Sequence, residues 1–113
     1  MLVSGIEALR IAAEGNYALP AINYINMEHL QAIIAAAAEL QAPVIIQTSQ
    51  NAIDYAGFEY LRDIGVGAAQ RAKVPVVLHL DHGKDLALNM RCLRYGWTSI
   101  MMAASLRPFP ENV

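Results

Sequence analysis

The ten residues VPVVLHLDHG, at positions 74–83, are the most informative part of this chain. They begin as an apolar, β-branched run, which is the pattern of a strand buried on both faces in a parallel sheet. They end with His79, Asp81, His82 and Gly83. Histidine and carboxylate side chains are costly to bury unless they are paired or bound to a ligand. Because α/β proteins usually place their chemistry at the C-terminal ends of strands, the sequence predicts a functional site here.

The rest of the chain alternates between strand and helix patterns. Strands are predicted at residues 17–23, 44–47, 74–81 and 98–103, and helices at residues 5–14, 27–40, 58–72 and 85–95. A polar loop is predicted at residues 48–57, and the tail at 106–113 has no periodicity. This alternation implies right-handed parallel βαβ units, and therefore an α/β fold of four parallel strands in the order 1-2-3-4 with crossover helices.

Composition limits the classes of protein to which the chain can belong. Its 113 residues are 56% hydrophobic, and the mean hydropathy is +0.32, so we expect further polypeptide or a partner to cover apolar surface. A net charge of -2 gives no reason to expect a nucleic-acid partner. The single cysteine suits a reducing compartment. Without a long apolar run or a signal-peptide layout, we expect no membrane partner and a cytoplasmic location.

The polar end of the 74–83 stretch has two interpretations. Alternation along the strand puts His79 and Asp81 on one face and Leu78 and Leu80 on the other. Neutral imidazole is a good zinc ligand, and a neighbouring carboxylate can transfer a proton to a substrate. Alternatively, His79 is a core histidine with satisfied hydrogen bonds, and Asp81 and His82 cap the next helix. The pattern alone leaves both open, because a zinc site needs about three or four ligands.

Polar residues also follow the first two predicted strands. Asn23 ends the first strand, and Ser49, Gln50 and Asn51 follow the second. Parallel strands end at one rim of the sheet, so these residues and Asp81 could form a polar pocket, although Asn and Ser are also ordinary turn formers. Of the remaining residues, we expect His29 to be solvated, Cys92 to be buried, and three methionines to fill the core: Met90, Met101 and Met102.

At these residues the sequence resembles the class II, zinc-dependent fructose-bisphosphate and tagatose-bisphosphate aldolases. The most specific match is PVVLHLDHG at residues 75–83. The other matching stretches, in the family's order and spacing, are AIN at 21–23, NME at 26–28, LQAI at 30–33, PVIIQ at 43–47 with Ser49, YAG at 55–57, TSIM at 98–101, PF at 108–109 and ENV at 111–113. They extend across the whole chain.

The resemblance implies a fold, an activity and a set of site residues. Family members are (β/α)8 barrels of about 250 residues, so residues 1–113 would form a single partial domain, the N-terminal half of a barrel. The implied reaction is reversible aldol cleavage of a phosphorylated sugar, with Zn²⁺ polarising a carbonyl. Asp81 matches the acid/base residue, His82 matches a zinc ligand, and Asn23 and Ser49 match positions that contact substrate.

The sequence also departs from the family pattern. The fourth strand of the family usually ends in Asp followed by Gly or Ala, Ser and often His, whereas this chain has Ala103, Ala104, Ser105 and Leu106. The family's other two zinc histidines lie beyond residue 113. We therefore expect the 113 residues alone to bind zinc poorly and to be inactive. We also expect them to need a C-terminal half or to self-associate through open strand edges. The alternative function is that of a non-catalytic, oligomerising half-barrel.

Overall fold

Four parallel strands form one sheet in the predicted order, β1-β2-β3-β4. The computed structural model describes residues 1–112. The strands are β1 (Ala21–Asn23), β2 (Val44–Ser49), β3 (Val76–Gly83) and β4 (Ser99–Met102). Each sequential pair of strands is hydrogen-bonded in parallel. The α/β architecture with crossover helices is therefore as the strand and helix patterns predict.

Within residues 1–112, six helices lie between and beside the strands. They are α1 (Gly5–Glu14), α2 (Met27–Glu39), α3 (Gln50–Ala56), α4 (Phe58–Arg71), α5 (Leu86–Arg94) and α6 (Phe109–Asn112). Side chains of Ser4, Asn26 and Asp85 accept hydrogen bonds from the first turns of α1, α2 and α5, which fixes where these helices begin. No helix within residues 1–112 is both long enough and apolar enough to span a membrane.

The core lies between the sheet and helices α2, α4 and α5. Val76, Leu78 and Leu80 of β3 point into it and are fully buried. Across the sheet, the buried Trp97 donates its indole N–H to Thr48 Oγ1 at 3.1 Å, so the polar atoms of both side chains are satisfied. Because side chains alternate along a strand, His79 and Asp81 lie on the opposite face, as predicted.

The predicted third and fourth strands, 74–81 and 98–103, are shifted by one or two residues, to Val76–Gly83 and Ser99–Met102. Two other predicted elements differ more. The first strand is only three residues long, Ala21–Asn23, and not residues 17–23. Pro20 has no N–H for the ladder, although its carbonyl still accepts from Ile45. The loop predicted at 48–57 is wrong, because β2 continues to Ser49 and α3 follows it directly. The Ser49 hydroxyl accepts from the Ala52 N–H at 3.2 Å and so starts that helix.

The prediction for the methionines is also wrong. Met90, Met101 and Met102 have 40%, 42% and 51% of their surface exposed. Met101 and Met102 lie on β4, which has no further strand beside it among residues 1–112, and Met90 lies on α5. The tail contains the short helix α6, and its last residue, Val113, lies outside the described residues. Cys92 is fully buried and His29 is exposed, both as expected.

Candidate active site

A row of polar side chains crosses the sheet on the face opposite the core. Asn23, Gln47, His79 and Ser99 occupy one register position, with one residue from each strand. Gln47 Nε2 donates to Asn23 Oδ1 at 2.8 Å, and His79 Nδ1 lies 2.7 Å from Ser99 Oγ. Polar side chains at this depth of a sheet are stable because they satisfy one another.

Asp81 lies two residues further along β3, towards the C-terminal rim. Its register partner on β2 is Ser49. Gln47 Nε2, which also donates to Asn23, donates a hydrogen bond to Asp81 Oδ2 at 3.3 Å. The other oxygen of Asp81, Oδ1, is 3.6 Å from His82 Nε2, which is longer than a hydrogen bond. The Asp81 side chain is 21% exposed and that of His82 is 59% exposed, so the carboxylate is sheltered and the imidazole opens to solvent.

The backbone turns at His82, with φ of 53°. This is the left-handed region, which a non-glycine residue adopts at a cost of about 1–2 kcal/mol, and such residues cluster at functional sites. The turn is made at His82 and not at Gly83, and the glycine is needed for a different reason. A Cβ atom at Gly83 would lie 1.8 Å from Oδ1 of the buried Asn89.

The structure distinguishes between the two interpretations of the polar end of β3, with a different outcome for each residue. His79 fits the core-histidine interpretation, because it is half-buried and bonded to Ser99. Burial lowers the pKa of His79 below its ordinary value, and the charge of Asp81 offsets this only in part. The capping interpretation is wrong for Asp81 and His82, because Asp85 caps α5 by accepting from the Leu88 N–H at 2.7 Å.

The predicted rim pocket is formed in part. A cavity of about 210 Å³ is lined by Ser49, Gln50, Asn51, His82 and Lys84. Gln50 links the two chain segments that line this cavity, since Gln50 Oε1 accepts a hydrogen bond from the Lys84 N–H at 3.3 Å. The cavity therefore joins the ends of β2 and β3. Asn23 is not among its lining residues and contacts the site through Gln47.

The described residues contain an incomplete set of metal ligands. Within residues 1–112 there is no group of three or more His, Cys, Asp or Glu side chains placed to hold a metal ion. His82 presents an exposed imidazole at the rim, whereas His79 already uses Nδ1 on Ser99. His82 by itself supplies one donor, and a zinc site needs about three more.

Gln47 is the site residue that sequence reasoning missed. Its amide contacts both Asn23 and Asp81, yet it has no role in the sequence-based prediction. The signal was present in the alternation along β2. Gln47 and Ser49 point to the same face as Asn23 and Asp81 once the strand continues to Ser49.

Comparison with known proteins assigns this arrangement to a family. The sequence model described as fructose-bisphosphate aldolase class-II matches residues 3–113. The chain belongs to the class II fructose-bisphosphate aldolase family. It is 43% identical to a fructose-bisphosphate aldolase of Treponema pallidum, over 99% of this chain and 35% of the relative. It is 44% identical to one of Thermus caldophilus, over all of this chain and 37% of the relative.

Among solved structures, the fold is similar to that of the YdjI aldolase from Escherichia coli K12. The TM-score is 0.92 at 33% identity, and the match covers 98% of this chain and 43% of that one. The chain thus spans about a third of the length of the curated relatives it matches. Its sheet is the N-terminal half of the (β/α)8 barrel of this class II aldolase family.

Ala103, one of the departures from the family pattern, lies close to the end of β3. Ala103 lines a second cavity, of about 470 Å³, with Lys84, Asp85 and Arg107 among the other lining residues. The Ala103 N–H donates to the Gly83 carbonyl at 2.9 Å, so position 103 is tied to the end of β3. Position 103, where the resemblance leads us to expect a carboxylate, is therefore next in space to the Asp81–Gly83 segment.

Proposed function

We propose that this chain supplies the N-terminal half of the active site of an enzyme that reversibly cleaves a phosphorylated ketose. The products would be dihydroxyacetone phosphate and an aldehyde phosphate. The observation that supports this most strongly is the placement of Asp81 beside His82, with Asp81 Oδ2 and Asn23 Oδ1 both held by Gln47. We also propose that residues 1–113 are one partial domain, completed by other polypeptide.

Asp81 is the proposed acid/base. Gln47 occupies Asp81 Oδ2, which leaves Oδ1 directed towards the His82 side of the rim. In the cleavage direction, Asp81 takes the proton of a substrate hydroxyl. The O–H electron pair then forms the aldehyde carbonyl, and the adjacent C–C bond breaks, leaving its pair on the ketone portion. A half-buried carboxylate is suited to this, because fewer water molecules compete for the proton.

His82 is the proposed metal ligand, and Asn23 and Ser49 are the proposed substrate contacts. The exposed imidazole of His82 fits the donor chemistry that Zn²⁺ prefers. When bound, zinc would act as a Lewis acid that polarises the substrate carbonyl. Ser49 keeps its hydroxyl hydrogen available, because its Oγ accepts from Ala52. The further ligands would come from polypeptide other than residues 1–112, which contain no complete ligand group.

The test is an aldol cleavage assay on the natural polypeptide that carries residues 1–113, loaded with zinc. Fructose 1,6-bisphosphate and tagatose 1,6-bisphosphate are supplied separately, and release of dihydroxyacetone phosphate is followed by a coupled dehydrogenase. We expect cleavage of at least one substrate, lost on Asp81→Asn and kept on Asp54→Asn, a change at an exposed position of α3. Folded, zinc-loaded protein without activity on either substrate would refute the proposal.

A second candidate function is a self-associating half-barrel without catalysis. It is favoured by exposed apolar side chains on the two edge strands, Ile22 of β1 at 43% and Met101 of β4 at 42%, and by Ile6 of α1 at 84%. The absence of a carboxylate at Ala103 fits this alternative as well. The cleavage assay separates the two functions, because a scaffold would release no product.

A further inference from the structure

We infer that Gln47 is a positioning residue that sets which atoms of Asn23 and Asp81 face the substrate. This inference rests on the proposed function, because it assigns those two residues to the reacting site. Gln47 lies on β2, between β1 and β3, in register with Asn23 on one side and His79 on the other. It is half-buried and faces the same side of the sheet as both partners.

One amide nitrogen makes both contacts. Gln47 Nε2 is 2.8 Å from Asn23 Oδ1 and 3.3 Å from Asp81 Oδ2. A primary amide carries two hydrogens, so each acceptor receives one. Both donors of Gln47 are therefore spent on the two site residues. A glutamate at this position would place an acceptor against two acceptors, and a methionine would fill similar space without a donor.

The first bond fixes the polarity of Asn23. Because Asn23 Oδ1 is turned towards Gln47, Asn23 Nδ2 is on the side of the amide that faces away from it. Asn23 thus offers a hydrogen-bond donor to a ligand, while its acceptor is engaged by Gln47. A donor at this position suits an oxygen-rich, anionic ligand such as a phosphate or a hydroxyl oxygen. Without Gln47 the Asn23 amide is free to rotate, and this preference is lost.

The second bond fixes the orientation of Asp81. With Oδ2 held by Gln47, the carboxylate has one oxygen left for proton transfer, and that oxygen is 3.6 Å from His82 Nε2. A carboxylate that rotates freely spends less time in the reactive geometry, and small misplacements are costly in catalysis. One side chain on β2 therefore couples the substrate contact on β1 to the acid/base on β3.

The kinetic test compares Gln47→Met and Gln47→Glu in the natural, zinc-loaded polypeptide, with Gln70→Glu, on the exposed surface of α4, as the matched control. We expect Gln47→Met to lower kcat by roughly tenfold and to raise KM, since it removes one bond to a carboxylate and one to a substrate contact. We expect Gln47→Glu to lower kcat further. Gln47→Asn should restore neither the wild-type kcat nor the wild-type KM. The zinc content of all these variants should stay at the wild-type level. A Gln47→Met enzyme with wild-type kcat and KM would overturn the inference.

A second measurement keeps the test independent of activity. In ¹H–¹⁵N spectra of the wild-type protein, the side-chain amide protons of Gln47 should exchange with solvent more slowly than those of Gln70. The side-chain amide signals of Asn23 should move in Gln47→Met and stay in place in Gln70→Glu. If the wild-type protein is inactive but these signals behave as expected, the proposed function fails and the positioning role stands. Unchanged Asn23 signals in Gln47→Met would overturn the positioning role, whatever the activity.

Discussion

Gly83 lies against the side chain of Asn89, so closely that a Cβ atom on Gly83 would be 1.8 Å from Asn89 Oδ1. Asn89 is fully buried on α5, and its Nδ2 donates to the Gly83 carbonyl at 3.4 Å. The end of β3, which carries Asp81 and His82, thus packs directly against α5. The glycine is required here by space, because a larger residue would push the strand end off the helix.

This relationship predicts the effect of Gly83→Ala. Because the added methyl overlaps a buried side chain that has no room to move, we expect a loss of about 2 kcal/mol in the free energy of unfolding. Urea denaturation measures it. Asn89→Ala removes the nearest obstructing atoms and leaves Leu80 Cδ2, at 2.8 Å, so Gly83→Ala should cost less in that background. Equal costs in both backgrounds would show that the contact does not matter.

Two glycines in α4 give a matched pair. A Cβ at Gly65 would lie 2.1 Å from the hydroxyl of the buried Tyr24, which donates to the Leu61 carbonyl at 2.9 Å. At Gly67 it would meet only the guanidinium end of Arg71, at 3.0 Å. We expect Gly65→Ala to destabilise the protein by about 1–3 kcal/mol and Gly67→Ala to stabilise it by up to about 1 kcal/mol. Chemical denaturation measures the free energy of unfolding of both variants. A Gly65→Ala variant more stable than the wild type would show that Tyr24 does not pack tightly against Gly65.

His79 makes stability depend on pH in a defined direction. Burial lowers the pKa of His79 in the folded protein, with Asp81 opposing, so the unfolded chain binds the proton more readily. Stability is therefore complete above the unfolded value of about 6.5 and falls as the pH drops below it. Between pH 7 and 5 the denaturation midpoint should fall in the wild type, and less steeply in His79→Gln. Parallel curves for the two proteins would exclude His79 as the cause.

The fold was more predictable from sequence than the site. Alternating strand and helix patterns suffice for the sheet order, and Asn26 and Asp85 mark helix starts through their capping chemistry. The 48–57 segment was misjudged because its polar residues resemble a loop, while Ser49 in fact caps α3. Gln47 was overlooked because its role depends on strand register, which places residues 24 and 34 positions apart side by side. Local patterns carry no such information.

The open edges of the sheet predict association. β1 and β4 each pair with one neighbour among the described residues, and apolar side chains are exposed at both. Unpaired edges invite pairing with other strands. At about 25 cal/mol per Å², leaving several hundred Å² of apolar surface in water would forfeit roughly 10 kcal/mol, as much as the stability of a whole domain. Residues 1–113 by themselves should therefore scatter light as oligomers at micromolar concentration. A monomer that unfolds cooperatively would contradict this.

We propose that the end of β3 forms part of a zinc-dependent aldolase site, and the decisive measurement is of zinc binding at His82. Zinc affinity is measured by competition with a chelator in the natural polypeptide that carries residues 1–113. His29→Ala, which changes an exposed histidine on α2, is the matched control. We expect wild type and His29→Ala to bind zinc equally, and His82→Ala to bind it roughly 100-fold more weakly. Wild-type zinc affinity in His82→Ala, or no zinc binding by the wild type, would contradict the account.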